Sequence, residues 1–361
     1  MQGECRSCFR CGSGKTEMEM SIESEFESYC AEHGTFTQSA FWAKVKENWQ
    51  AEYLLSKDEN AKVRGTMLVL VKHLPFGKVF LYAPRGPICD INDTAAVSDL
   101  LSQAVCLTSK YQAFMLKIDP MIASDDKKSI DKLQALGFTY HPERVGYDNI
   151  QCRENYILDL HGKSEEEVFN SFKSKWRYNI RLSSRRDVKC LICKEDKLDD
   201  FMSLMKQTAK RDGFEYRERT YFERILRVFG DKAVLCICYL DDKPLSGALC
   251  IEYAGVMSYV YGCSSSEYRS CMPNYLMQWT MIQRAIQDGC HTYDFCGIPY
   301  WYDEKHPNYG VYRFKQGFNG QVVTYAGEFD YCCRPITCRL FDTAQAIQRR
   351  FGIFRRFLHR Y

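Results

Sequence analysis

The sequence predicts an α/β (α+β) protein built from two tandem modules of one type, each with a mixed β-sheet. Three observations carry this. The chain has 361 residues, room for two domains of about 150 each. At 45% hydrophobic and 26% charged residues it has an ordinary globular composition, which excludes fibrous and wholly disordered classes. One order of elements also occurs twice: FLYAPRGP leads through a helix to FMLKIDP, and SYVYGCSS leads through a helix to TYDFCG. Identity between the halves is negligible, so the duplication rests on element order alone.

Taken in order, SIESEFESYCAEH reads as a helix capped by Ser21, with Ile22, Phe26 and Tyr29 at helical spacing. FWAKVKENW (41–49) reads as a second helix. GTMLVLVKHL and KVFLYAP are strands around a Pro-Phe-Gly turn, TAAVSDLLSQAVCLTSK is a helix, and AFMLKIDP is a strand ending at Asp119. In the second half KSEEEVFNSF and the basic run after it are helical, as is LDDFMSLMKQTAKR. Strands at 233–240, 245–253 and 256–262 follow, then a helix at about 272–288 and the strand HTYDFCG. The expected domains are a disordered leader at 1–20, a first module at 21–153 completed by part of 326–345, a second module at 154–325, and a basic amphipathic tail at 346–361.

The net charge is only +3, but residues 171–190 and 334–361 each carry +6, leaving −9 elsewhere. Two basic stretches on an acidic body imply two places that meet anions. No apolar run suits a signal peptide or a spanning helix, so a cytoplasmic location is expected, with peripheral contact at the inner face of the membrane. Many of the 19 cysteines, such as Cys236, Cys238 and Cys250, lie in apolar runs and are expected to be reduced structural thiols. Cys5, Cys8 and Cys11 lack a paired fourth ligand, and GSGKT has Phe9 where a phosphate loop needs glycine. Neither a metal nor a cofactor is expected.

The first run that carries chemistry is SFKSKWRYNIRLSSRRDVK. Lys173, Arg177, Arg181 and Arg185 recur every four residues, and on a helix they form one cationic ladder. Like charges so placed cost a few tenths of a kcal/mol per pair, so such a ladder usually answers an external polyanion. Trp176 and Tyr178 beside it offer stacking faces to nucleobases, while Phe169, Phe172, Trp176 and Ile180 form a stripe able to face a core. The bland alternative is a solvated face neutralised by Glu165, Glu166 and Glu167.

KSKWRYNIRLSSRRDV resembles the signature of the FemABX family, aminoacyl-tRNA-dependent transferases that build peptidoglycan side branches. FTQSAFWAKVKENW, YAPRGP, LKIDP, YDFCGIP and GVYRFKQGFNGQVVTYAGEFD are similar to further family patterns, over about residues 22–331. The resemblance implies two acetyltransferase-like (GNAT-type) modules, a charged tRNA as donor, and lipid II or UDP-MurNAc-pentapeptide as acceptor, with the protein acting as a monomer. Only about fifteen residues separate Arg217 from the strand at 233 and no heptad run occurs, so the chain resembles the compact branch without a coiled-coil arm.

The resemblance also implies roles. Phe314 and Lys315 match the pair at the reacting centre, where a lysine ammonium can stabilise an oxyanion or the departing ribose oxygen. Lys46 and Arg217 match positions that grip the acceptor's diphosphate, Tyr221 and Tyr261 match pocket tyrosines, and Asp119 matches an acidic residue that acts as base or binds the stem amine. Two departures stand out: Phe114 replaces a tyrosine, and Cys296 replaces the first of two glycines. A nucleophilic Cys296 would need a histidine partner, and His291 falls on the opposite face.

Two other classes compete. A coenzyme-A-dependent N-acyltransferase would need a glycine-rich pyrophosphate turn that RGPICDINDT and CSSSEYRSCM do not supply. A non-enzymatic tRNA or membrane adaptor would have no use for Phe314-Lys315. In the tail, Phe351, Phe354, Phe357, Leu358 and Tyr361 alternate with Arg349, Arg350, Arg355, Arg356 and Arg360, a pattern suited to an anionic leaflet or to packing on the first module.

Overall fold

The computed structural model describes residues 15–351. The chain begins with α1 (Lys15–His33) and a short α2 (Ala40–Val45). The strands β1 (Gln50–Lys57), β2 (Val63–Leu74), β3 (Lys78–Ala83) and β4 (Ile88–Cys89) follow, then α3 (Thr94–Lys110), β5 (Met115–Ile118), α4 (Lys127–Ala135) and β6 (Thr139–Tyr140). The second half runs β7 (Glu154–Asp159), α5 (Glu165–Ser171), α6 (Ser174–Arg185), β8 (Lys189–Cys193), α7 (Leu198–Asp212) and α8 (Arg219–Phe229). It continues through β9 (Ala233–Leu240), β10 (Lys243–Tyr253), β11 (Val256–Ser264), α9 (Pro273–Gln287) and β12 (Thr292–Gly297). It closes with α10 (Tyr309–Lys315), β13 (Gln321–Thr324), β14 (Phe329–Cys332) and α11 (Pro335–Phe351).

Two seven-stranded mixed sheets result, ordered β1-β2-β3-β5-β14-β6, with β4 on β2, and β13-β7-β12-β11-β10-β9-β8. Each has one parallel pair, β3 with β5 and β11 with β12, and a helix crosses over between its strands: α3 in the first sheet, α9 in the second. Asp93 caps α3 by accepting from Ala95 and Ala96 N–H groups, and Pro273 opens α9 where its missing N–H costs nothing. The expected duplicated α/β architecture is therefore present, and no coiled-coil arm interrupts the described residues: α8 fills the interval after Arg217.

The modules share one core. Leu68 and Leu70 of β2, Leu235 and Ile237 of β9, and Leu249 and Ile251 of β10 are buried together with Phe26, Phe201 and Phe222. Each fully buried phenylalanine contributes about 1.5–3 kcal/mol. The GEFD run is part of the architecture. β14 inserts between β5 and β6, and Lys117 Nζ donates to Glu328 at 2.8 Å and Asp330 at 2.5 Å, all three side chains buried. Arg144 and His141 complete this network, whose cations hold both carboxyls below their usual range.

Several expectations are corrected. α1 begins at Lys15, inside the segment read as a leader, because KTEMEM is free of glycine and proline and rich in helix formers; Ser21 is interior, not a cap. The FWAKVKENW helix stops at Val45, and QAEYLLSK becomes β1. The basic helix is broken at Phe172 and Lys173, both extended (ψ 152° and 142°), so Lys173 starts α6 rather than continuing α5. Reduced thiols fail at two pairs: β8–β9 register sets Cys190 opposite Cys238, and Cys332 meets Cys338 across the turn into α11, and both pairs are disulfides. Cys236 and Cys250 are free and buried as expected. Phe341 of α11 packs on Phe80 and Phe114, at 5.3 and 5.2 Å between ring centroids. Residues 1–14 and 352–361, with the N-terminal cysteines and most of the aromatic-basic tail, lie outside the described residues.

Candidate active site

The site forms where β12 ends. Tyr293 and Phe295 alternate into the second module's core, so Asp294 and Cys296 take the other face of the strand. β7 lies antiparallel beside it, bringing Asn155 opposite Gly297. The Asn155 amide donates to Asp294 Oδ2 at 2.9 Å, and the Cys296 N–H donates to Oδ1 at 2.7 Å. Cys296 has a left-handed backbone (φ 58°), a conformation glycine adopts at lower cost.

Past this bend, the carbonyls of Phe295, Cys296 and Gly297 accept from Lys315 Nζ at 2.6, 3.4 and 2.8 Å. Lys315 closes α10 and is only 6% exposed, not the solvated charge an isolated lysine would be. Burial pulls its pKa down. Three acceptors nonetheless match the three N–H donors of the ammonium and favour the charged form. The 3.4 Å contact with Cys296 is the longest of the three.

α6 supports this turn. Trp176 Nε1 donates to Phe314 O at 2.9 Å, Lys173 N–H to Gly317 O at 2.9 Å, and Lys173 Nζ to Gln316 Oε1 at 3.2 Å. Position 317 must be glycine, because a Cβ there would stand 2.0 Å from the Trp176 ring. Trp176 is thus no free stacking platform: its indole packs on this backbone and on Tyr275. Phe314 packs on Tyr275 and Phe318. Within the ladder, Arg177 caps the Asn170 and Phe172 carbonyls, whereas Arg181 and Arg185 are exposed and lie over Phe169 and Tyr178. Tyr178 remains the exposed aromatic of this face.

The first module supplies Arg85, which follows β3 and is 7% exposed. Its Nη2 donates to Cys152 O at 2.7 Å and its guanidinium lies 4.8 Å from the Tyr325 ring centroid. Neither Arg85, in YAPRGP, nor Asp294, in YDFCG, stands out from the sequence as a site residue; a charge flanked by prolines or by apolar strand residues is the signal it offers. Asp119 lies nearby but is sealed. It is 1% exposed, with Oδ1 accepting from the Arg85 N–H at 2.6 Å and Oδ2 from the Tyr82 hydroxyl at 2.9 Å. Burial pushes its carboxyl up to about 6. Phe114 faces the α11 side, so the absent tyrosine hydroxyl leaves no gap in this cleft.

The four expected acceptor residues do come together. Lys46, at the end of α2, has Nζ 4.8 Å from the Trp42 ring centroid and 5.6 Å from that of Tyr221. Arg217 lies 5.2 Å from the same Tyr221 ring, and the Tyr261 hydroxyl donates to the Tyr221 hydroxyl at 3.2 Å. Among the described residues neither cation has a carboxylate partner. Burial, then Arg217 and Lys72, lowers the Lys46 pKa to about 7. Burial holds the Cys296 thiol protonated, and His291 bonds Thr292 at the surface, so no cysteine nucleophile is assembled.

The model of the FemAB family matches residues 22–243 and 241–346 of this chain. A lipid II:glycine glycyltransferase of Staphylococcus haemolyticus is 30% identical over 385 residues, covering 85% of this chain and 90% of that protein. The one from Staphylococcus aureus is 28% identical with the same coverage, 85% and 90%. Among solved structures, the crystal structure of FemX superposes with a TM-score of 0.82 at 26% identity, covering 89% of this chain and 98% of that one. A tandem GNAT protein from the clavulanic acid biosynthesis pathway has a TM-score of 0.52 at 9% identity, covering 86% of this chain and 95% of that one, a likeness of fold alone.

Proposed function

Since the chain belongs to the FemAB family, an acyltransferase family, we propose that it moves an amino acid from an aminoacyl-tRNA to the stem-peptide amine of a peptidoglycan precursor. The observation that carries this reading is the pair Lys46 and Arg217 against one tyrosine, with no carboxylate partner among the described residues. A guanidinium fork beside a lysine point charge suits a diphosphate, the group common to lipid-linked and nucleotide-linked muropeptides. The Tyr261–Tyr221 hydroxyl pair adds neutral donors at the same place.

The acceptor amine attacks the ester carbonyl of the donor, and negative charge develops on the carbonyl oxygen. Lys315, fixed by the β12 carbonyls, supplies the positive field there, with Phe314 packed behind it. The donor's phosphates meet the exposed cations Arg181 and Arg185, with Lys173 at the edge of the active-site turn. Trp176 serves the reaction by holding that turn, and Asp119 by fixing the backbone of Arg85. The enzyme works in the cytoplasm as a monomer, and residues 346–361 bring it to the anionic leaflet; no helix among the described residues is long and apolar enough to cross a membrane.

The test offers purified protein charged tRNA, glycyl-tRNA first because the relatives are named for glycine, with lipid-linked and nucleotide-linked muropeptides in parallel. Transfer of labelled amino acid to either acceptor supports the reading. Transfer from acetyl-CoA, with none from charged tRNA, removes it.

A further inference from the structure

Two carboxylates border the cleft, and they differ in what they can reach. Asp119 spends both oxygens on Tyr82 and on the Arg85 N–H, and it is closed to solvent. Asp294 is partly exposed, and each of its oxygens accepts one protein hydrogen bond, from Cys296 N–H and from the Asn155 amide. A carboxylate has about four acceptor positions, so each keeps about two beyond these bonds, but only those of Asp294 are open to solvent. Asp294 is also the carboxylate whose charge acts on Lys315 among the described residues, because the carbonyls that hold Lys315 belong to the residues immediately after it.

We infer that Asp294 is the catalytic carboxylate that receives the acceptor amine and takes its proton as the new C–N bond forms. This rests on the aminoacyltransferase reading. The amine nitrogen bonds to the ester carbon, and the carbonyl electron pair moves to the oxygen beside Lys315. One proton then passes from the cationic nitrogen to Asp294. The adduct collapses, the bond from carbon to the ribose oxygen breaks, and the proton on Asp294 goes to that oxygen. Atoms, charge and protons balance without another reactant.

The groups facing Asp294 support this placement. Lys315 comes from α10 and Arg85 from the loop after β3; both favour the ionised carboxylate. The Cys296 thiol and the Tyr325 hydroxyl are neutral, both pushed up chiefly by burial and further by the neighbouring acid, with Arg85 opposing the rise. Burial raises the carboxyl above its ordinary value, and a base form is present only above that raised value, so transfer rises with pH through it.

Asp294→Asn tests the assignment in the full chain with charged tRNA and a muropeptide acceptor. The expected result is a fall in kcat of about 10²–10⁴ and loss of the acid limb of the pH profile, with donor affinity unchanged and the variant still folded by its unfolding transition. A variant that keeps kcat within about threefold, or keeps the acid limb, overturns the assignment. Calorimetry separates this from failure of the wider reading. Wild type should bind a muropeptide with a free stem amine more tightly than its N-acetylated form, and Asp294→Asn should bind both alike, whether or not turnover is seen. Equal discrimination by the two proteins also overturns it. If Asp294→Asn does not fold, Asp294→Glu decides: it keeps a carboxylate and should retain the acid limb with reduced kcat, and loss of that limb counts against the role.

Discussion

The two modules handle the end of their parallel strand pair in opposite ways. In the first, β3 and β5 stay in register to Ala83 and Ile118, and Asp119 then closes the end by bonding Arg85 N–H and Tyr82. In the second, β11 and β12 pair only from Val256 to Ser258, and the strands then part. Tyr261 and Cys296 lie beyond the last pair, and Lys315 is bound to the freed end of β12. One fold thus carries a plugged copy and an open copy. The plugged copy still contributes cations, Lys46 and Arg85, to the mouth of the open one.

The largest effect should follow from breaking the open end. Lys315→Ala removes the charge that the proposed function sets beside the reacting carbonyl and should lower kcat by about 10² or more, the usual size of a lost oxyanion stabiliser. Single-turnover rates alongside a thermal melt check this, and an unchanged rate would remove Lys315 from the chemistry.

Lys46→Ala and Arg217→Ala should each raise the acceptor KM about tenfold, roughly one charge-assisted hydrogen bond, with kcat little altered. An acceptor lacking the diphosphate should show no such difference. The lowered pKa of Lys46 adds a sign. Its charge is present below about 7 and fades above, so acceptor affinity should decline as pH rises through that value. A bound diphosphate pulls the pKa back up, so binding near pH 8 should take up a proton, measurable by calorimetry in buffers of different ionisation enthalpy.

Breaking the plugged end should act on stability instead. Asp119→Asn changes a buried acceptor of two hydrogen bonds and should cost about 1–3 kcal/mol in denaturant unfolding, while the acid limb of the rate profile persists. A collapse of kcat with stability intact would reverse the roles given to the two modules. The smallest effect is expected outside both clefts. Neutralising Arg181 and Arg185 together should reduce the slope of log donor affinity against log salt by one to two units, leaving the reaction step unchanged.

Local signals were read from the sequence where the physics is local. α3 spans the predicted residues 94–110, β9 spans 233–240, and the stripe of Phe172 and Ile180 is buried, because helical and strand periodicities follow directly from backbone geometry. Repetition of element order was enough to expect two mixed sheets. The residues Lys46, Arg217, Tyr221, Tyr261 and Lys315 were named from motif resemblance, and the charge ladder from its spacing.

What needed the tertiary structure was every decision between equivalent residues. Asp119 and Asp294 both follow apolar strand residues, and only the three-dimensional pairing makes one a sealed plug and the other an open carboxylate. Trp176 and Tyr178 are two aromatics on one helix, yet the first is committed to the Phe314 carbonyl across 138 positions of sequence, and the second stays exposed. Cys190 and Cys238 look like separate buried thiols until strand register sets them side by side. The physical reason is common to all three. Periodicity determines which face a side chain occupies, but hydrogen-bond partners and burial depend on segments distant in the chain, and those meet only when the two sheets close on their shared core.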